Sequence, residues 1–76
     1  MRYRLDVFMD AALSERVERL SLSARSDAAA LEQAEAVRWK CECAGRSRVL
    51  VLSRDDGAEK VEIARMGSRR LGGYGR

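Results

Sequence analysis

Histidine, proline, asparagine and threonine are missing from this 76-residue chain, and cysteine occurs only as Cys41 and Cys43. The absence of histidine removes the commonest general base and metal ligand near neutral pH. Two thiols one residue apart do not make the disulfide framework of a small secreted domain. Tetrahedral zinc needs about four ligands. Cys41-Glu42-Cys43 offers two thiols, and on a helix they would point to nearly opposite sides. No glycine-rich loop follows a strand, and no nucleophile motif is present. The paired acids Asp55-Asp56 and Glu32/Glu35 are what a turn and a solvated helix face require. The chain therefore reads as a non-enzyme with no cofactor and no metal.

Long apolar runs are lacking too. The strongest, Val49–Leu52, is far short of the roughly 20 residues that span a bilayer. The N-terminus shows no apolar segment followed by a cleavage site. These features predict a soluble cytoplasmic protein with no membrane partner. Core-building residues are also few: eight Leu, six Val, one Ile and one Phe, beside eleven Ala. So thin a core calls for a disulfide, a metal or self-association, and only the last has raw material here.

Charge is plentiful and unevenly placed. Thirteen of the fifteen cations are arginine. Residues 65–76 contain Arg65, Arg69, Arg70 and Arg76 and no acid, so they carry +4 against a total of +3 and leave residues 1–64 at −1. The basic isoelectric point belongs to a C-terminal segment rather than to a surface. Arg, Ala and Gly are also the residues of GC-rich codons, which points to a bacterial or phage source and offers a second explanation for the arginines.

The C-terminal half reads as a hairpin. Residues 48–54 and 59–65 are rich in β-branched residues and flank Asp55-Asp56-Gly57, which is strong turn chemistry. With Asp56-Gly57 as the loop, Leu50 and Leu52 face Ile63 and Val61. With Asp55-Asp56-Gly57 as the loop, the partners become Val49 and Val51, and the faces exchange. Ahead of the hairpin, Ser26 predicts an N-cap and Asp27 suits a first helical turn. Ala30, Ala34, Val37 and Cys41 form the apolar stripe with Leu31 at its edge, and Gly45 ends the helix. Residues 1–10 alternate as a strand, with Tyr3, Leu5, Val7 and Met9 on one face and Arg2, Arg4, Asp6, Phe8 and Asp10 on the other. Residues 11–25 carry both helical and strand spacing; the serine alternation favours a strand over about 16–25. The expected fold is α+β, in the order β-β-α-β-β, with one helix packed on a four-stranded, mainly antiparallel sheet. It forms one domain over residues 1–66, followed by a Gly/Arg-rich tail over 67–76.

Either hairpin register makes the third strand apolar on both faces, and one Ala-rich helix covers only one. A second copy is the simplest cover, so a homodimer is expected. The candidate protein-binding residues are Arg2, Arg4 and Phe8 on the open face, together with Trp39. Trp39 lies off the apolar stripe, either as an exposed interface anchor or folded under the loop carrying Gly45. The alternative is a nucleic-acid-binding accessory protein that sets Arg46, Arg48, Arg69, Arg70 and Arg76 on phosphates, with Tyr74 available for stacking.

The opening Tyr3-Arg-Leu-Asp-Val7, followed by Leu20-Ser-Leu-Ser-Ala-Arg-Ser-Asp-Ala-Ala-Ala-Leu-Glu-Gln-Ala34, resembles the strand, strand, helix opening of some small phage-encoded anti-CRISPR proteins. The likeness covers about half of the chain and rests on pattern, so it carries over no functional residue. It implies non-catalytic docking on a CRISPR surveillance complex or nuclease that blocks target binding or cleavage.

Overall fold

The computed structural model describes residues 2–9, 13, 15–57 and 59–68. The expectations placed on Arg69, Arg70, Tyr74 and Arg76 lie outside the described residues. Strands β1 (Arg2–Phe8) and β2 (Arg16–Ser23) precede helix α1 (Asp27–Cys43), and β3 (Arg48–Asp56) and β4 (Glu59–Ser68) follow it. The strands form one antiparallel sheet in the order β2-β1-β3-β4, with the helix against one face, which is the expected α+β arrangement. β4 extends to Ser68, so Gly67 and Ser68, read from sequence as the start of the tail, belong to the sheet. The Ser68 hydroxyl accepts from the Arg48 N–H at 2.9 Å and donates to the Arg46 carbonyl at 2.9 Å, which ties the strand end to the helix–strand connection.

Both ends of α1 follow from local chemistry. Ser26 is extended, and its hydroxyl accepts from the Ala29 N–H at 3.1 Å, satisfying one of the unpaired donors of the first turn. At the other end Ala44 is the C-cap and Gly45 takes φ 72°. Arg46 N–H donates to the Cys41 carbonyl and Gly45 N–H to the Glu42 carbonyl. This is a Schellman closure, and its left-handed position favours glycine.

The core lies between the helix and one sheet face. Tyr3, Leu5 and Val7 of β1 and Leu50 and Leu52 of β3 are buried against Ala30 and Ala34 of the helix. Leu20, Leu22, Leu31, Val37, Ile63 and Met66 close the margins. The two alanines let the helix approach closely, at the expense of buried area. The strand character of residues 16–23 is settled by pairing: Leu20 sits opposite Leu5 and Leu22 opposite Tyr3, so the alternating leucines complete the same core face.

The hairpin adopts neither register expected from the turn. The last ladder pair is Asp56 with Glu59, and Arg54 pairs with Val61. A bulge then follows: Ser53 opposes Glu62 while Leu52 opposes Ala64, leaving Ile63 as the extra residue. Continued without the bulge, that register would set Leu50 opposite Arg65, over the core. One additional residue brings Met66 there instead and turns Arg65 to the open face. Leu50 and Leu52 do face the helix, but their partners are Met66 and Ala64, not Ile63 and Val61. A second bulge lies at Val7/Phe8, where Arg16 rather than Val17 comes opposite Phe8.

A polar clasp joins the helix start to the sheet. The Tyr3 hydroxyl donates to Asp27 at 2.6 Å, and Arg54 donates to both oxygens of the same carboxylate at 2.9 and 3.1 Å. The Tyr3 bond and then Arg54 hold the Asp27 carboxyl below the ordinary carboxylate range, and the Asp27 bond pushes the Tyr3 phenol up.

Candidate functional site

Cross-strand partners share a face, so the ladder assigns the side of the sheet away from the helix. From β2 to β4 it reads Ser23, Arg2, Asp55, Lys60; then Ser21, Arg4, Ser53, Glu62; then Arg19, Asp6, Val51, Arg65; and finally Arg16, Phe8, Val49, Gly67. Among the described residues this face carries six cations (Arg2, Arg4, Arg16, Arg19, Lys60, Arg65) and three acids (Asp6, Asp55, Glu62). Residues 69–76 contribute three arginines and no acid to a total of +3, so the formal charges of residues 1–68 cancel. Residues 1–68 are thus neutral overall and polarised, with the positive side turned away from the helix.

The centre of this face is sealed by the chain itself. Asp6 is 3% exposed and lies 2.9 Å from Arg19 Nε, 3.5 Å from Lys60 Nζ and 4.0 Å from Arg16. Glu62 and Arg65 pair at 3.1 Å. Val51 and Ser53 are buried beside them. Leu13, with φ 57°, joins Phe8 at the rim of a cleft of about 270 Å³ that Asp6, Val51, Ser53, Lys60, Glu62 and Arg65 complete. The expected homodimer rested on an uncovered face of β3. Long side chains and Leu13 already cover Val51, so a second copy is not needed for that purpose.

Two arginines are left over. The side chains of Arg2 and Arg4 make no ion pair or hydrogen bond to any described residue. They line a shallow cleft of about 300 Å³ with Ser21, Ser23 and Asp55. Arg2, Arg4 and Phe8, singled out from sequence, therefore share one surface. Trp39 does not join them: it is on the helix, across the sheet, and 55% exposed, so it is not folded under the loop carrying Gly45. Arg46 and Arg48 sit elsewhere again, at the helix C-terminal connection and the start of β3, where Arg48 is half-buried and donates through its guanidinium to the Ser47 carbonyl. Cys41 is half-buried near the helix end and Cys43 is exposed; both are free thiols.

Sequence reading did not single out Ser53, Lys60 or Arg19, and it counted Arg65 with the basic C-terminal segment, whereas the structure places it on the sheet opposite Val51. Alternation alone assigns the faces of β1, but the bulge at Ile63 decides which face Arg65 occupies, and no local pattern in Glu59–Ser68 announces that bulge. Comparison with known proteins finds no matching family, no matching characterised relative and no matching solved structure.

Proposed function

We propose that this chain is a non-catalytic protein-binding module that docks its open sheet face on an acidic partner surface. The observation that carries the reading is the pair of unpartnered arginines, Arg2 and Arg4, on the positive side of an otherwise neutral domain. A structural ion pair consumes its charge internally; these two have none to consume. Phe8 adds a half-buried aromatic at the other end of the same strand, the type of anchor that interfaces favour. The cations around Asp6 hold the surface in shape rather than reaching outward, which favours a rigid docking face over a flexible one. The resemblance to small anti-CRISPR proteins suggests the partner class: a CRISPR surveillance complex or nuclease of a bacterial host, inhibited by occupation of its surface. Phosphate binding through Arg46, Arg48 and residues 69–76 is the competing reading.

The test is capture from a GC-rich bacterial lysate, with and without nuclease, by the native protein and by the Arg2→Glu/Arg4→Glu double variant. A defined protein complex that survives nuclease and is lost on charge reversal is the expected result. Loss of all bound material on nuclease treatment overturns the reading in favour of nucleic acid. Capture unchanged by the charge reversal removes the open face from the interface.

A further inference from the structure

The corner of the open face nearest the start of β1 differs from its centre. At the centre the cations meet acids, Arg19 and Lys60 on Asp6 and Arg65 on Glu62. At the corner the ladder rows read Ser23, Arg2, Asp55 and then Ser21, Arg4, Ser53. The guanidiniums of Arg2 and Arg4 have no ion-pair or hydrogen-bond partner among the described residues. Asp55 stands directly opposite Arg2 on β3, yet the two make no ion pair. Arg2, Arg4, Ser21, Ser23 and Asp55 all line one cleft of about 300 Å³. Arg2 and both serines are exposed and Arg4 is half-buried, so the donors are open to solvent. The serine hydroxyls make no hydrogen bond to a described residue, and Ser23 accepts from Gln33 only through its carbonyl. Two residues apart on one strand, Arg2 and Arg4 share a side and lie roughly 7 Å apart along it. Two long side chains at that spacing can close on a single anion.

We infer that this cleft seats one carboxylate of the acidic partner, held by the Arg2 and Arg4 guanidiniums and the Ser21 and Ser23 hydroxyls, and that Asp55 is its selectivity residue. The inference deepens the docking reading and rests on it. Arg2 and Arg4 bring two positive charges to the cleft and Asp55 one negative, a net of +1. One carboxylate balances that charge. A phosphate dianion exceeds it and is repelled by Asp55. A nucleic-acid strand carries one charge per phosphate, but it also relies on aromatic side chains that stack its bases. Tyr3, the aromatic of this cleft, is 2% exposed and bonded to Asp27, so it has no face to offer a base. Planar guanidiniums match the paired oxygens of a carboxylate, and hydroxyls add donors beside them. The volume of about 300 Å³ stands at the lower limit of the roughly 300–1,000 Å³ of small-molecule pockets, which suits the head of a side chain.

The experiment is a titration of the isotopically labelled protein with a short glutamate-rich peptide, followed by amide resonances. A short single-stranded oligonucleotide and inorganic phosphate are titrated in parallel at matched ionic strength and mildly alkaline pH, where phosphate is mostly a dianion. The expected result is saturable movement of the Arg2, Arg4, Ser21 and Ser23 resonances with the peptide, which binds more tightly than either other probe. Ser21→Ala/Ser23→Ala removes donors without changing charge and weakens the peptide by about three- to tenfold. Asp55→Asn keeps the turn chemistry and removes the repelling charge. It tightens the peptide by about 1.5- to fivefold and phosphate by more, so the preference for carboxylate narrows. Melting curves check that both variants are folded. Peptide affinity unchanged in the folded serine double variant, or a preference unchanged by Asp55→Asn, overturns the carboxylate seat, while the Arg2→Glu/Arg4→Glu capture result still judges the face. Resonance changes confined to other surfaces, or tighter binding of oligonucleotide or phosphate than of peptide, also overturn it.

Discussion

Replacing Asp6 with asparagine keeps the side chain's shape and removes the one charge around which the open face is organised. The carboxylate is 3% exposed, and it meets Arg19 at 2.9 Å, Lys60 at 3.5 Å and Arg16 at 4.0 Å. A charge-assisted hydrogen bond contributes about 1.5–3 kcal/mol. The cations are 42–51% exposed along their side chains, so they rehydrate when the acid is lost, and the lower part of that range applies. The expected loss is about 1.5–2 kcal/mol, or roughly 6–16 °C in melting temperature for a domain of this size. Thermal and urea unfolding followed by circular dichroism measure it, with the same unfolding midpoints repeated in added salt. The native advantage should persist in part at high salt, because a buried carboxylate is screened less than a surface one. A loss below about 0.5 kcal/mol, or an advantage abolished by salt, refutes the reasoning, since either is the behaviour of an exposed pair.

The Tyr3–Asp27–Arg54 clasp predicts two pH limbs. Asp27, held below its unfolded value of 3.8, contributes stability that is present above that value and is lost as pH falls through the folded one. The gap between native protein and Asp27→Asn should therefore be level at mild acid pH and close toward strong acid; a constant gap refutes it. Tyr3, raised above 10.0, contributes stability that is present below that pH and is lost as pH rises through its folded value, so the gap to Tyr3→Phe should close in strong alkali. Light scattering at micromolar concentration should give a monomeric mass, because Val51, at the centre of the open face of β3, is covered within one chain; a dimeric mass would show that Val17, Trp39 or another exposed apolar residue recruits a second copy.

The legible parts of the fold are those governed by neighbours in sequence. Ser26, Asp27 and Gly45 mark the helix ends because capping is satisfied within a few residues. Ala30, Ala34, Leu31 and Val37 mark its buried stripe because helical periodicity is local. Tyr3, Leu5 and Val7 mark the inner face of β1 for the same reason, and that places Arg2, Arg4 and Phe8 together on the outer one. Trp39 was legible as lying off the stripe, though only the structure separates it from the arginines by the thickness of the sheet.

Local sequence by itself determined the types of β1, α1, β3 and β4 and their order, the helix caps, and the inner and outer faces of β1. Tertiary structure decided the rest, because it depends on pairings between residues far apart in the chain. The bulge at Ile63 exists because Leu50 is better matched by Met66 than by Arg65, a choice made across the sheet and not along the strand. That choice turns Arg65 outward, where it pairs with Glu62 at the cleft. Asp6 then draws in Arg19 and Lys60, from strands on either side of the sheet. Only after those charges have found each other does it emerge which cations of the open face have no ion-pair partner among the described residues, Arg2 and Arg4, and that the buried hydroxyl of Ser53 has none to accept from it.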